Sequence, residues 1–255
     1  MTRGRPARRT TQLVAGLAAY AFSMAMLVHA GQGAMPWDVL HQGIARRTDL
    51  SLGLVVVLAS VVVLLAWIPL RQRPGVGTVA NVVVIGVVLD PSIALLAAWL
   101  PDPSVAVRVA LAVAAVVLNG VATAAYLGTR LGPGPRDGLM TGLVARTGWS
   151  VRVVKTSIEI GVVAAGWVLG GTLGWATVLY ALGVGAVVQV AAPRLVTLPA
   201  THPPVPGDPQ VAAARASCVD VRTGASAGPS RPSWPGRARP RRRGSRRSAP
   251  SARRG

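Results

Sequence analysis

Sulfur, lysine and acid are all scarce in this sequence. A single cysteine, Cys218, excludes an intrachain disulfide and a thiolate metal cluster. Lysine occurs once, as Lys155, among 27 basic residues, the mark of a GC-rich codon bias that weakens any functional reading of an arginine-rich segment. Charged residues make up only 14% of the chain, where a soluble domain carries about 25%. That shortage excludes an ordinary cytosolic enzyme, and 51% apolar residues exclude a wholly disordered basic protein. Three scattered histidines, His29, His41 and His202, form no His/Asp/Glu cluster and no Ser/His pairing. Catalytic residues, metal ligands and cofactors are accordingly not expected.

What is present is apolar length. The 255 residues have a mean hydropathy of +0.49 and a net charge of +19. Twelve arginines and two aspartates lie in residues 199–255, leaving +9 in the body and +10 in the tail. Uncharged runs cover Thr10 to Trp37, Ser51 to Leu70, Pro74 to Leu89, Val109 to Thr129 and Ile160 to Pro193. About 20 residues cross the hydrocarbon core, and the last run holds parts of two helices, with Gly170-Gly171 as the turn. The fold class is therefore an all-α polytopic membrane protein of about six transmembrane helices, near 12–30, 52–69, 75–90, 106–127, 151–169 and 174–192. The third is short, since Asp90-Pro91 interrupts it, with Ser92 to Leu100 as a broken or interfacial continuation. Five spans are the competing count.

The Lys/Arg bias of short loops sets orientation. Arg3, Arg5, Arg8, Arg9, Arg71, Arg73, Arg130, Arg136, Arg146, Arg152 and Arg194 share one side in a six-span arrangement, against Arg46 and Arg47 on the other. Both termini are then cytoplasmic, in the inner (plasma) membrane. Trp67, Trp99, Trp149, Trp167 and Trp175 near span ends read as an interfacial belt. The first span has the features of a signal peptide, a basic start and Val28-His29-Ala30, but an internal repeat argues for keeping it.

That repeat appears at an offset of 99: Gly33/Gly132, Pro36/Pro135, Asp38/Asp137, Leu40/Leu139, Gly43/Gly142, Arg47/Arg146, Thr48/Thr147 and Ser51/Ser150, followed by Gly75/Gly174, Thr78/Thr177, Val79/Val178 and Gly86/Gly185. Pro, Asp, Arg and Thr carry the weight in a chain so rich in Ala, Val and Leu. Three spans per copy make the second copy insert upside down, the inverted-repeat plan of many secondary transporters. Residues 1–11 are then a basic N-terminus, 12–100 and 101–198 the two membrane repeats, and 199–255 a disordered Arg/Pro-rich cytoplasmic tail. Arg237 to Arg254 fit anionic lipid headgroups or nonspecific nucleic-acid contact, though composition alone accounts for them, and no specific nucleic-acid partner is expected.

The two loops that open on the repeat read GAMPWDVLHQG at 33–43 and GPGPRDGLMTG at 132–142. With RQRPGVGTVAN at 71–81, SVRVVKTSIEI at 150–160 and GWVLGGTLGWATV at 166–178, they make the body, residues 10–195, resemble the YczE/YyaS/YitT-type bacterial integral membrane proteins. The resemblance implies a polytopic inner-membrane protein and supplies no catalytic residue.

From the residues themselves, Pro before Asp marks a helix start, so Asp38 and Asp137 read as N-caps of short helices at or re-entering each interface, a role compatible with gating or ion contact. GPGPR lacks the Gly-Lys-Ser/Thr ending of a phosphate loop. His41 reads as a solvated interfacial histidine. Glu159 is the one acid inside a span, four residues from Lys155, and serves either as half of a snorkelling pair or as a charge facing an inner path. Asn81, Asn119 and Gln189 suit interhelical hydrogen bonding. The candidate path or gate comprises Glu159, Lys155, Asp38, Asp137, Arg136 and Asn81. The leading function is a small-molecule or ion transporter in contact with the lipid bilayer; the alternative is a non-transporting assembly or interaction protein, with a homo-oligomer or a membrane partner compatible with either.

Overall fold

The computed structural model describes residues 4–195, with side chains from residue 7 onward; the expectations for the tail, Cys218 and His202 fall outside the described residues. These residues form eight helices and no strand: α1 (Gly4–Ala30), α2 (Pro36–Thr48), α3 (Leu52–Leu70), α4 (Val76–Trp99), α5 (Val105–Leu127), α6 (Pro135–Thr147), α7 (Val151–Val168) and α8 (Trp175–Leu195). Valine is a mediocre helix former in water. In lipid, however, each backbone N–H and C=O must pair within its own segment, so apolar runs become helices despite their β-branching. Five of the described helices are long and apolar enough to cross a membrane: Ala7–Ala30 of α1, α3, α4, α5 and α8. Their outward faces expose Val62, Leu65 and Ile68, Val79, Val83 and Val87, and Leu182 and Val190, the surface that contacts the bilayer. The 18-residue α7 carries Arg152, Lys155 and Glu159 and falls outside this set.

α4 corrects the expected break at Asp90-Pro91, because it runs through both residues to Trp99. Asp90 stitches two helices together: its Oδ1 accepts the Gly53 N–H at 2.8 Å, satisfying a first-turn amide of α3. Any Cβ on Gly53 would lie 2.6 Å from the other carboxylate oxygen.

α1 is the central element. Leu13, Leu17, Ala21, Met24 and Leu27 form a continuous buried stripe at steps of three and four residues, packed against α4 and α5, while α5 also meets α8. Gly16 lets α1 approach closely, since a Cβ there would sit 3.1 Å from the Tyr126 nitrogen.

The two short helices are gripped by the opposite half of the chain: α2 packs on α7, and α6 on α3. In the first pair the backbones touch, with a Cβ on Gly166 falling 2.3 Å from the Leu40 nitrogen. In the second, Trp67 fills the space over Gly138 and donates its indole N–H to the Pro135 carbonyl at 3.0 Å. Trp67 is thus buried, not part of an interfacial belt, because a residue without a side chain opens a slot that ends on an acceptor. Trp99, Trp149, Trp167 and Trp175 are exposed.

Helix boundaries and ties recur 99 residues apart. The bounds of α2, Pro36–Thr48, become those of α6, Pro135–Thr147. Gly77 donates its amide to the Leu131 carbonyl at 2.8 Å, and Ala176 to that of Gln32 at 3.1 Å. Thr78 Oγ1 donates to the Pro133 carbonyl at 2.7 Å, while Thr177 Oγ1 accepts from the Ala34 amide at 3.1 Å. Each linker ahead of a short helix is therefore tied to the start of a long helix in the other half.

Arginine side chains mark the two ends of the bundle. At one end Arg9 donates to the Thr129 carbonyl, Gln12 to the carbonyls of Ala125 and Leu195, and Arg146 to that of Pro69. At the other, Arg46 bonds Gly170 and Thr172, and His29 meets the Leu100 carbonyl. α2 ends among the second group and α6 among the first, so their N-termini point toward each other from opposite ends.

Candidate functional site

Both short helices start on a proline, which loses nothing at a position where the amide has no intrahelical partner. Gly33 and Gly132, at φ 127° and 137°, make the turns into them, a backbone conformation that side-chain-bearing residues rarely adopt. The N-cap residues are Met35 and Gly134, without side-chain cap bonds. Asp38 and Asp137 sit three residues further on, which corrects their expected N-cap position and turns both carboxylates inward.

Asp137 reaches back to the Gly134 amide and accepts the Tyr126 hydroxyl at 2.9 Å. Burial pushes its pKa up, opposed by those two hydrogen bonds and by the charges of Arg136 and Lys155. Asp38 is buried. Its Oδ1 lies 3.1 Å from His41 Nδ1 and 3.7 Å from the Arg136 guanidinium, and its Oδ2 has no hydrogen-bond partner among the described residues. His41, expected in solvent, is 1% exposed, and burial lowers its pKa against the opposing bond to Asp38. Its neutral ring donates from Nδ1 to the carboxylate. The guanidinium carbon of Arg136 stands 5.3 Å from the Trp37 ring centroid, so the first turns of α2 and α6 meet through one cation–π contact and one long ion pair.

Beside this junction is a cavity of about 350 Å³. Tyr20 of α1, Met35 to Trp37 at the start of α2, Thr123 and Tyr126 of α5, Arg136, Asp137 and Met140 of α6, Lys155, Ile158 and Glu159 of α7, and Tyr180, Val184 and Gln189 of α8 line it. Four of the six residues chosen from sequence thus share one space: Arg136, Asp137, Lys155 and Glu159. Asp38 lies behind Arg136, outside the lining. Asn81 is also outside, its Nδ2 facing Gly134, 3.4 Å from where a Cβ would stand. Lys155 and Glu159 approach to 3.7 Å at 46% and 26% exposure, a loose pair at the cavity edge.

Sequence reasoning missed the tyrosines. All three in the chain, Tyr20, Tyr126 and Tyr180, line this cavity, and their confinement to spans in so aromatic-poor a sequence was the available signal. Tyr20 and Tyr126 make an edge-on contact at 6.1 Å. The Tyr180 hydroxyl donates to Asn119 Oδ1 at 2.8 Å, and Asn119 donates to Ser23 Oγ at 2.8 Å, a polar ladder joining α8, α5 and α1.

The model of a family of unknown function, DUF6198, matches residues 7–193, the whole helical bundle. An uncharacterized protein of Haemophilus influenzae is 42% identical over 164 residues, 64% of this chain and 74% of that relative. The uncharacterized membrane protein YczE of Bacillus subtilis is 30% identical over 192 residues, 74% of this chain and 88% of its own length. No solved structure matches. A match across every described helix, with a membrane protein among the relatives, means that this chain belongs to the DUF6198 family of YczE-type membrane proteins.

Proposed function

We propose that this membrane protein is a secondary transporter or permease that moves a small molecule or ion through the cavity between two inverted three-helix repeats, residues 12–100 and 101–198. The observation that carries the reading is the cavity itself: it collects charged, aromatic and amide side chains from six helices of both halves, where the first turns of α2 and α6 converge. Charged residues are expensive inside a membrane bundle and are kept where they face a path, and midplane helix ends between repeats are where secondary transporters hold cargo.

The repeat reading draws support from the ties that recur at an offset of 99 and from the reciprocal grips of α2 by α7 and α6 by α3. α7 is the sixth span: its charges lie in the first half, Ile160, Trp167 and Val168 face outward, and it joins the Arg146 end of the bundle to the Arg46 end. The end that carries Arg9, Arg71, Arg146 and Arg194 faces the cytoplasm of the inner membrane. Untargeted metabolite uptake by proteoliposomes, compared with empty vesicles, tests the function; a protein-dependent accumulation is expected, and identical profiles refute transport.

A further inference from the structure

Arg136 indicates what the cavity takes, an inference that rests on the transport reading of the same space. Its guanidinium lies against Trp37, yet among the described residues it donates no hydrogen bond; its nearest acid, Asp38, is 3.7 Å away, beyond hydrogen-bond length. A planar fork of five donors is thus held in place by stacking and left unspent at the wall of a cavity. Lys155 adds a second positive group, loosely held by Glu159 at 3.7 Å. The first turns of α2 and α6 add the partial positive charge of helix N-termini. We infer that the cavity binds a small organic monocarboxylate with an apolar body, its carboxylate on the Arg136 fork with Lys155 beside it.

The remaining walls narrow the class. Met35, Met140, Ile158 and Val184 offer apolar contact, and about 350 Å³ admits a phenyl ring or a short alkyl chain. Glu159 in the lining and Asp38 behind Arg136 oppose a second negative charge, which disfavours phosphate and dicarboxylates. Burial also holds Asp137 toward its neutral form, leaving the positive groups dominant around the fork.

Calorimetric titration of the full-length protein in detergent tests this with phenylacetate and hexanoate, against phenylacetamide, inorganic phosphate and phenylalanine. Both carboxylates should bind, and the uncharged amide should not. Arg136→Gln should weaken phenylacetate binding about 30-fold, the loss of charge-assisted hydrogen bonds, and Arg136→Lys about 10-fold, because the charge stays and the fork goes. Lys155→Gln, half-exposed and outside the packed interior, should weaken it several-fold even if the arginine variants fail to fold. Equal binding of phenylacetamide, tighter binding of phosphate or phenylalanine, or unchanged affinity in Lys155→Gln and the folded arginine variants would overturn the inference. Carboxylate binding without protein-dependent uptake sinks transport and leaves the ligand class standing; uptake of an uncharged solute without carboxylate binding does the reverse.

Discussion

Gly166→Ala probes the contact that positions the site. On α7, a Cβ at this position would fall 2.3 Å from the Leu40 nitrogen and 2.4 Å from the Val39 carbonyl carbon, so the methyl meets main chain that no rotamer change can move. A normal contact requires α2 and α7 to separate by about 1 Å, given an ordinary carbon separation of about 3.5 Å. Overpacking costs about 1–3 kcal/mol, and rigid obstacles place this site near the top of that range. Replacing a helical glycine by alanine returns about 1 kcal/mol, leaving a net loss of about 2 kcal/mol. For about 200 folded residues that is a fall of roughly 4–8 °C in melting temperature, measurable by tryptophan fluorescence in detergent. Gly161→Ala is the internal control: it lies on the same helix with nothing within 4 Å of the added carbon and should hold or raise the melting point. If both variants melt together at the wild-type temperature, α2 does not lie on the α7 backbone, and the placement of Trp37 and Asp38 goes with it.

Topology reporters fused after residues 10, 72 and 195 should read cytoplasmic and those after 45 and 102 external; a cytoplasmic reading at both 45 and 72 defeats six spans. Asp137 predicts a pH effect. Its folded pKa lies above the ordinary 3.8, so the folded state binds the extra proton and stability falls as pH rises from 3.8 through the elevated value. Asp137→Asn should flatten the melting temperature across that window, and an unchanged slope would assign the effect to another group. Glu159→Gln breaks only a loose, part-exposed pair, which contributes about 0.3–0.5 kcal/mol. Melting should barely move while uptake falls; a sharp drop in melting temperature with intact uptake refutes its place in the path.

Composition and run length by themselves determined that this chain is helical and membrane-embedded, because uncharged runs of about 20 residues have few other homes. The Pro-x-Asp spacing likewise located both short helices, since proline and the glycine turn before it act within a few residues. α4 was misread because Asp90-Pro91 looks like a break in one dimension. Only the neighbouring α3, whose Gly53 amide the Asp90 carboxylate accepts, shows that the acid belongs there. His41 and Trp67 were placed at the surface for the same reason: the helices α7 and α3 that pack on α2, and the slot over Gly138 that takes Trp67, are supplied by tertiary packing. Local propensity also could not reveal that Tyr20, Tyr126 and Tyr180 share a wall with Arg136, because 160 residues separate the first from the last. Periodicity reports which face of a helix is apolar, but which helices converge is decided by where small residues let backbones touch and where buried polar groups find partners.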